Sequence, residues 1–477
     1  MPRPPIPDVF VTVQDGALGI LPPPSENVHL KIGVATRGDA NVVTPVSTLQ
    51  QAKDLFGGGP LVESLAVALA IGGPPVFAIR GNASVAGSIT AGDAIRTGTG
   101  SLAASGAPVD SYDLRVRITT SGGLGTARFQ YTLDGGDTYS PEILVPSSGT
   151  YTVEDTGVTL TFTEGPSGTS FVAGDEYRFR TTAPAMTTTD LVAALDAALA
   201  DPREWGFVHV VGTATPAVAA AVATKMAEAE TRYRFAFAVL EARDVAHNET
   251  PAQWMANLIS EWSAFASTRV GVVAGFGEVI SPITGRLHRR PLAWSFAGRL
   301  QRIPVHEHPG RVISGPVPGI TLLYHDEQAS TGLDSQGFTT FRTIIGYRGF
   351  YVTNGRIMAP PGSDFQFVEL RRVMDLACRI ARNAALRFLN EAVRIDPAGN
   401  ILEADAQAIE RYVEGQLEAA LIVPGHASGV AVRIDRESNL LSTRTARITV
   451  RVRPLGYLSW IETDIGFVNP KLVVQAA

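Results

Sequence analysis

A few short stretches carry residue types that could do chemistry. Gly57-Gly58-Gly59-Pro60 offers closely spaced backbone amides of the kind that cradle phosphate. A phosphate loop also needs a following Lys-Ser/Thr or a G-x-G-x-x-G frame, and neither is there; a helix stop and a helix start account for the run with less. His306-Glu307-His308 would set two imidazoles on one face of a strand, but a metal site needs further ligands and no third is evident. His325-Asp326-Glu327 fits a polar loop or a helix start. Asp134 and Asp137 could meet calcium, yet Asp134-Gly135-Gly136-Asp137 already explains itself as a tight turn between strands. Arg37-Gly38-Asp39 reads as a turn. Cys378 falls beside an apolar helical stripe, the setting of a packed thiol rather than a nucleophile. No G-x-S-x-G elbow occurs, and no motif arranges Ser, His and Asp. The expectation is no catalytic residue, no metal, no cofactor and no enzymatic activity.

The totals narrow the class. The chain has 477 residues, enough for roughly three domains. Apolar residues make up 45%, ample for real cores, while 47 Gly and 31 Pro point to many turns and strands. A net charge of −6 gives no global field to recruit nucleic acid. One cysteine excludes an internal disulfide and suits a reducing compartment. No charged-then-apolar leader opens the chain, and the apolar run 61–71 is too short to span a bilayer. The expected protein is neither secreted through a signal peptide nor inserted in a membrane.

The elements that position these residues follow from periodicity. Residues 29–36 read as a strand, 48–55 and 61–71 as helices, and 75–80 as a buried strand, a βαβ unit that favours a parallel sheet. From 81 to 186 helical spacing gives way to short alternating runs at 114–118, 127–133, 158–162 and 177–180, read as an inserted all-β, sandwich-like domain. Helix and strand then alternate again: helices at 190–200, 216–229 and 251–266, strands at 207–211, 235–240 and 270–274. Residues 286–318 read as irregular, with strands at 341–348 and 350–353. Ser363 with Gln366 suggests a capping box opening a long helix over 364–393, roughly 45 Å at 1.5 Å per residue. Its apolar stripe is Phe367, Leu370, Met374, Ala377, Ala381, Ala384, Phe388 and Ala392. Arg371, Arg372, Arg379, Arg382 and Arg387 occupy its other faces, either solvated or contacting a neighbouring subunit or an inner partner through carboxylate pairs. Asn400 with Glu403 suggests a second, acidic helix to 421, a possible source of those carboxylates.

Both ends carry strand-like runs. Val9, Val11 and Val13 alternate behind a proline-rich lead. Ile448, Val450 and Val452 alternate with polar residues, Pro454-Leu455-Gly456 turns the chain, and Ile461 and Ile465 continue a second run, so 443–467 reads as a hairpin. A short apolar tail with Leu472 and Val474 follows. Strands on proline-bounded tethers tend to join a neighbour's sheet, and two such ends make a heterologous contact that closes a ring or grows a helix. The expectation is a subunit of a helical polymer.

These features resemble contractile tail sheath proteins of phages and of phage-like injection particles such as tailocins. The resemblance rests on the pattern from 29 to 80, with Gly33, Gly38, Phe56-Gly57, Gly72-Gly73 and Arg80. It rests further on Gly349-Phe350-Tyr351-Val352-Thr353-Asn354-Gly355-Arg356, the long helix, and 445–467. Residues 131–179 look like the variable β insertion that some sheaths carry. The resemblance implies an α+β or α/β multidomain chain: an N-terminal arm (1–28), a core in parts (29–80, 187–340, 341–442), the inserted β domain (81–186), and a C-terminal hairpin and arm (443–477). It implies hexameric rings stacked on an inner tube, with baseplate and terminator proteins as partners. Arms from neighbours would complete a sheet in an adjacent copy. A trigger would let the rings compact and drive the tube through a target envelope. The particle would be a virion tail or a phage-like device assembled in the bacterial cytoplasm. A tube or terminator protein, an α/β enzyme and a surface adhesin are the alternatives.

Overall fold

The computed structural model describes residues 26–166, 169–246, 248–437 and 439–467. They fall into two compact units, one of residues up to 211 with Ser281–Gly285, the other of Gly212–Ile280 with residues from 286 onward.

In the first unit the strand His29–Gly33 is buried along its whole length. It pairs in parallel with Val76–Arg80 on one side and Phe207–Thr213 on the other, with Leu30 opposite both Phe77 and Val208. Thr44–Val46, which periodicity alone does not reveal, adds antiparallel to Val76–Arg80. Helix Leu49–Phe56 starts where the Thr48 hydroxyl accepts from the Gln51 amide. Helix Pro60–Gly72 has its proline in the first turn, where no amide is needed, and is buried on nearly every face. Between them Gly59 takes φ 107°, and a side chain there would press on the Val109 carbonyl at 3.2 Å. Thr187 and Asp190 cap helix Thr188–Ala200 reciprocally.

Residues 89–181 hold two antiparallel sheets. One runs Ser101–Gly106, Val158–Thr163, Thr150–Val153; the other runs Ile89–Ala91, Glu176–Thr181, Asp113–Thr120, Arg128–Thr132, Ile143–Leu144. Alternation does the sorting: Leu114, Val116 and Ile118 point into the core, while Arg115, Arg117 and Thr119 do not. Phe162 stands between Phe129 and Phe171, with ring centroids 4.9 and 5.5 Å away.

In the second unit Phe237–Glu241, Val270–Val273 and Phe338–Thr339 are parallel neighbours. Helices Pro216–Thr231 and Pro251–Trp262 each begin with a threonine cap followed by proline. The span 286–318 is not irregular throughout. Leu287–Pro291 joins Phe276–Ile280 and Ile320–Leu323 in an antiparallel sheet, and Ala293–Arg302 is a helix. That helix is buried from Ala293 to Gln301, so its polar residues Ser295, Arg299 and Gln301 are enclosed rather than turned to solvent. The strands expected at 341–348 and 350–353 shrink to a short pair, Phe341–Arg342 with Tyr351–Val352.

The long helix runs Val368–Leu386, shorter at both ends than its pattern suggests. The Ser363–Gln366 capping box does not form. The Ser363 hydroxyl instead accepts from the Phe365 amide, and Phe367 is held extended in a bridge to Arg356. The next helix, Glu403–Leu417, continues through a π turn, Glu418–Ile422. Asn400 does not cap it, because the Asn400 amide is bound by the Asp396 carboxylate. Among the described residues no helix is long and apolar enough to cross a membrane.

Candidate functional site: an open sheet and an uncovered segment

The hairpin expected over 443–467 does not form. Ile448–Arg453 is a strand, but its partner is Gly429–Ile434 of the same chain, in antiparallel register with Val430 opposite Val452 and Val432 opposite Val450. The alternation of Val430, Val432 and Ile434 carries this signal in the sequence, and it is the element that reading 443–467 by itself overlooks. The apolar side of both strands, Ile448, Val450 and Val452 included, packs on a core built from Val413, Leu417 and Leu421. Thr449, Arg451 and Arg453 face outward and are exposed. Among the described residues no third strand joins either edge, although the Ile434 amide donates to Glu410 and its carbonyl accepts from Arg436.

From Pro454 to Phe467 there is no regular structure, and every residue from Leu458 to Phe467 is exposed. Trp460 is 91% exposed and Ile465 93%, with Leu458, Ile461 and Phe467 beside them in sequence. Such a concentration of large apolar side chains marks a surface meant to be covered. Val9, Val11, Val13, Leu472 and Val474, expected to take part in strand exchange, lie outside the described residues.

The arginines of the long helix divide. Arg371 and Arg372 are interior, which corrects their placement on an outer face. Arg371 donates to Asp375 at 2.7 Å, and the same carboxylate accepts from Arg269 at 3.1 Å. Arg372 donates to the carbonyls of Leu300, Ile303 and Pro304, the end of the buried helix. The helix is packed on more than one side, so a stripe-and-face division fails for it. Arg379 and Arg382 are half-buried, and Arg382 lies 4.2 Å over the Tyr233 ring. The acidic helix spends its carboxylates elsewhere, with Glu403 and Glu410 on Arg436 and Asp405 on Arg394.

The stretches with chemical residue types are used structurally. The Gly58 amide donates to the Thr36 hydroxyl and the Leu61 amide to the Val34 carbonyl, both at 3.0 Å, so these donors are taken. Asp134 accepts from the Thr138 amide and from the hydroxyls of Thr132 and Thr138. His306 and His426 meet Nδ1 to Nδ1 at 2.7 Å, and His308 meets the Asn354 side chain at 3.1 Å. His325 and Glu327 form a buried pair, and Glu327 also binds the Gly332 and Asp334 amides. Burial pushes the Cys378 thiol up, away from thiolate. A cavity of about 350 Å³ is walled by Trp262, Phe265, Phe338, Met358 and Pro360, and its one titratable lining group is Arg356.

The sequence matches two family descriptions in succession, DUF2586, N-terminal domain, over residues 6–356, and DUF2586, C-terminal domain, over 364–472. A comparison with curated proteins finds no match. Solved structures give a full-length likeness. The contracted helical sheath of the anti-feeding prophage is 12% identical, covers 97% of this chain and 99% of its own, and superposes at a TM-score of 0.54. The contracted PVC sheath complex of an extracellular contractile injection system is 11% identical, covers 98% of both chains, and reaches 0.53. A chain of the anti-feeding prophage baseplate structure reaches 0.53 at 12% identity. Over nearly its whole length the chain thus has the fold of contractile tail sheath proteins, and it belongs to the DUF2586 family.

Proposed function

We propose that this chain is the polymerising subunit of a contractile sheath. Copies stack as hexameric rings around an inner tube and compact to drive that tube through a target envelope. The observation that carries this is the open two-stranded sheet on the same chain as an uncovered apolar segment. Ile448, Val450 and Val452 belong to the receiving sheet. Val9, Val11 and Val13 from one neighbour, and Ile461, Ile465, Leu472 and Val474 from another, supply the added strands. Because donor and acceptor are different surfaces, the contact is heterologous and propagates.

The remaining parts take roles around that lattice. Residues 1–28 and 443–477 act as arms, 29–80 with 187–442 as the body, and 81–186 as an insertion facing outward. Arg379 and Arg382 are the candidates for contact with the tube or a neighbouring copy. Baseplate and terminator proteins bound the polymer, which assembles in the bacterial cytoplasm as part of a tail or phage-like particle. No cofactor is consumed. Burying apolar area at about 25 cal/mol per Å² gives each subunit a few kcal/mol, enough when summed over many copies.

The test is electron microscopy of the purified full-length chain, with and without its tube protein. Tubular or ring-stacked polymers are expected. Deleting residues 1–13, or 468–477, leaves a folded chain that forms no stable sheath; normal tubes from either truncated form would refute the proposal.

A further inference from the structure

The C-terminal segment is held at its root. The Ser428 hydroxyl donates to the Pro454 carbonyl at 2.9 Å, and the Tyr457 hydroxyl donates to the His306 carbonyl at 2.6 Å. Tyr457 is half-buried and everything described beyond it is exposed, so Tyr457 is the last seated residue. Its seat is the turn at 304–308, and that turn is tied to His426, three residues before the strand Gly429–Ile434, by the His306–His426 contact. Two Nδ1 atoms 2.7 Å apart share one proton: one ring donates and the other accepts. Protons on both would meet head-on.

The surroundings are otherwise committed. Facing His306 are Glu307 and Arg311 of its own turn and Arg372 of the long helix. Glu307 is taken by Ser314 and Arg311. Facing Tyr457 are Glu369 and Arg372 of the long helix, with the His308 ring 6.4 Å away. Burial keeps His306 below the usual imidazole range, consistent with a neutral pair at pH 7.

We propose that Tyr457 and the His306–His426 pair form an acid-sensitive latch that fixes where the C-terminal segment leaves the body. In its purpose this rests on the sheath reading, since the latch would aim the segment at its neighbour. A first added proton can be accommodated on an outer Nε2; a second breaks the ring contact, the turn parts from residue 426, and the His306 carbonyl leaves the Tyr457 hydroxyl. The sign follows from the lowered imidazole. The neutral contact is fully present above the ordinary histidine range and is lost only below it, as pH falls through the lowered value and the second proton is taken up.

The test uses the full-length chain, before polymerisation, with Cys378→Ser and a spin label on Leu458→Cys. At about pH 7.5 the label is held, and as the pH is stepped down below the ordinary histidine range the mobile fraction rises roughly five-fold, the size expected for loss of one buried hydrogen bond. Tyr457→Phe is mobile at both ends of the series, and His426→Gln, which cannot take the proton, is held at both. Circular dichroism confirms that each variant is folded. An unchanged wild-type spectrum, a Tyr457→Phe chain held like wild type, or a His426→Gln chain that still responds to acid overturns the proposal. Absence of tubes in the microscope with the latch behaviour intact would sink the sheath reading alone.

Discussion

Residues 89–181 and residues 429–467 are both written in alternating apolar and polar residues, and they end differently. In the first region Leu114, Val116 and Ile118 of one sheet share a core with Val158, Leu160 and Phe162 of the other. In the five-stranded sheet the outermost strands Ile89–Ala91 and Ile143–Leu144 are very short, a common way to blunt an edge, while the three-stranded sheet ends on Ser101–Gly106 and Thr150–Val153. In the second region one sheet of two six-residue strands rests on a helix, and among the described residues no further strand pairs with either edge. Alternation fixes which face of a strand turns inward. It does not say whose backbone lies alongside.

The comparison breaks most sharply at assembly. Ile461→Asp with Ile465→Asp should abolish sheath formation in the microscope while leaving the melting temperature nearly unchanged, since exposed substitutions stay within about 0.5 kcal/mol. Tubes formed by that variant would mean the segment is not an interface. In the closed region the signs reverse. Phe162→Ala should cost about 3–5 kcal/mol in denaturant unfolding, because its ring fills the space between Phe129 and Phe171. A loss under about 1 kcal/mol would show that this core is not closed in solution. The last effect is a slope. Burial raises the Glu369 carboxyl to about 8, above its unfolded value, so the native chain holds a proton that the unfolded chain releases. Stability should therefore fall as pH rises from about 5 to about 8, and Glu369→Gln should flatten that fall in urea titrations across the range.

Much of the fold was legible where local chemistry decides. The helices expected at 190–200 and 251–266 are present as Thr188–Ala200 and Pro251–Trp262, and the strands expected at 29–36 and 75–80 as His29–Gly33 and Val76–Arg80, the second an apolar run up to Arg80 as a buried parallel strand should be. Legibility failed where distant contacts override local ones. Phe367 carries helical spacing but is drawn into a bridge by Arg356, which delays the long helix. Helix Ala293–Arg302 encloses polar residues such as Arg299, whose acceptors are carbonyls of Pro309 and Ser314 that local spacing does not reveal. Pro454-Leu455-Gly456 has the composition of a hairpin turn, yet Ile448–Arg453 finds a better-packed partner upstream in Gly429–Ile434. For the candidate site, the exposed Ile461 and Ile465 could be picked out from sequence. The burial of Arg371 could have been suspected from Asp375 four residues on, whereas nothing near Arg372 points to the carbonyls of Leu300, Ile303 and Pro304.

Those three carbonyls have a consequence for how the chain can be cut. The two matched family segments meet between residues 356 and 364, where a domain boundary would ordinarily be drawn. Yet one guanidinium from beyond that seam terminates a helix before it, and Asp375 beyond it neutralises Arg269 before it. A fragment starting at 364 would expose Arg372 without its acceptors and leave Asp375 with half its counter-charge. The seam divides the sequence into two recognisable texts, but not the protein into two bodies that could live apart.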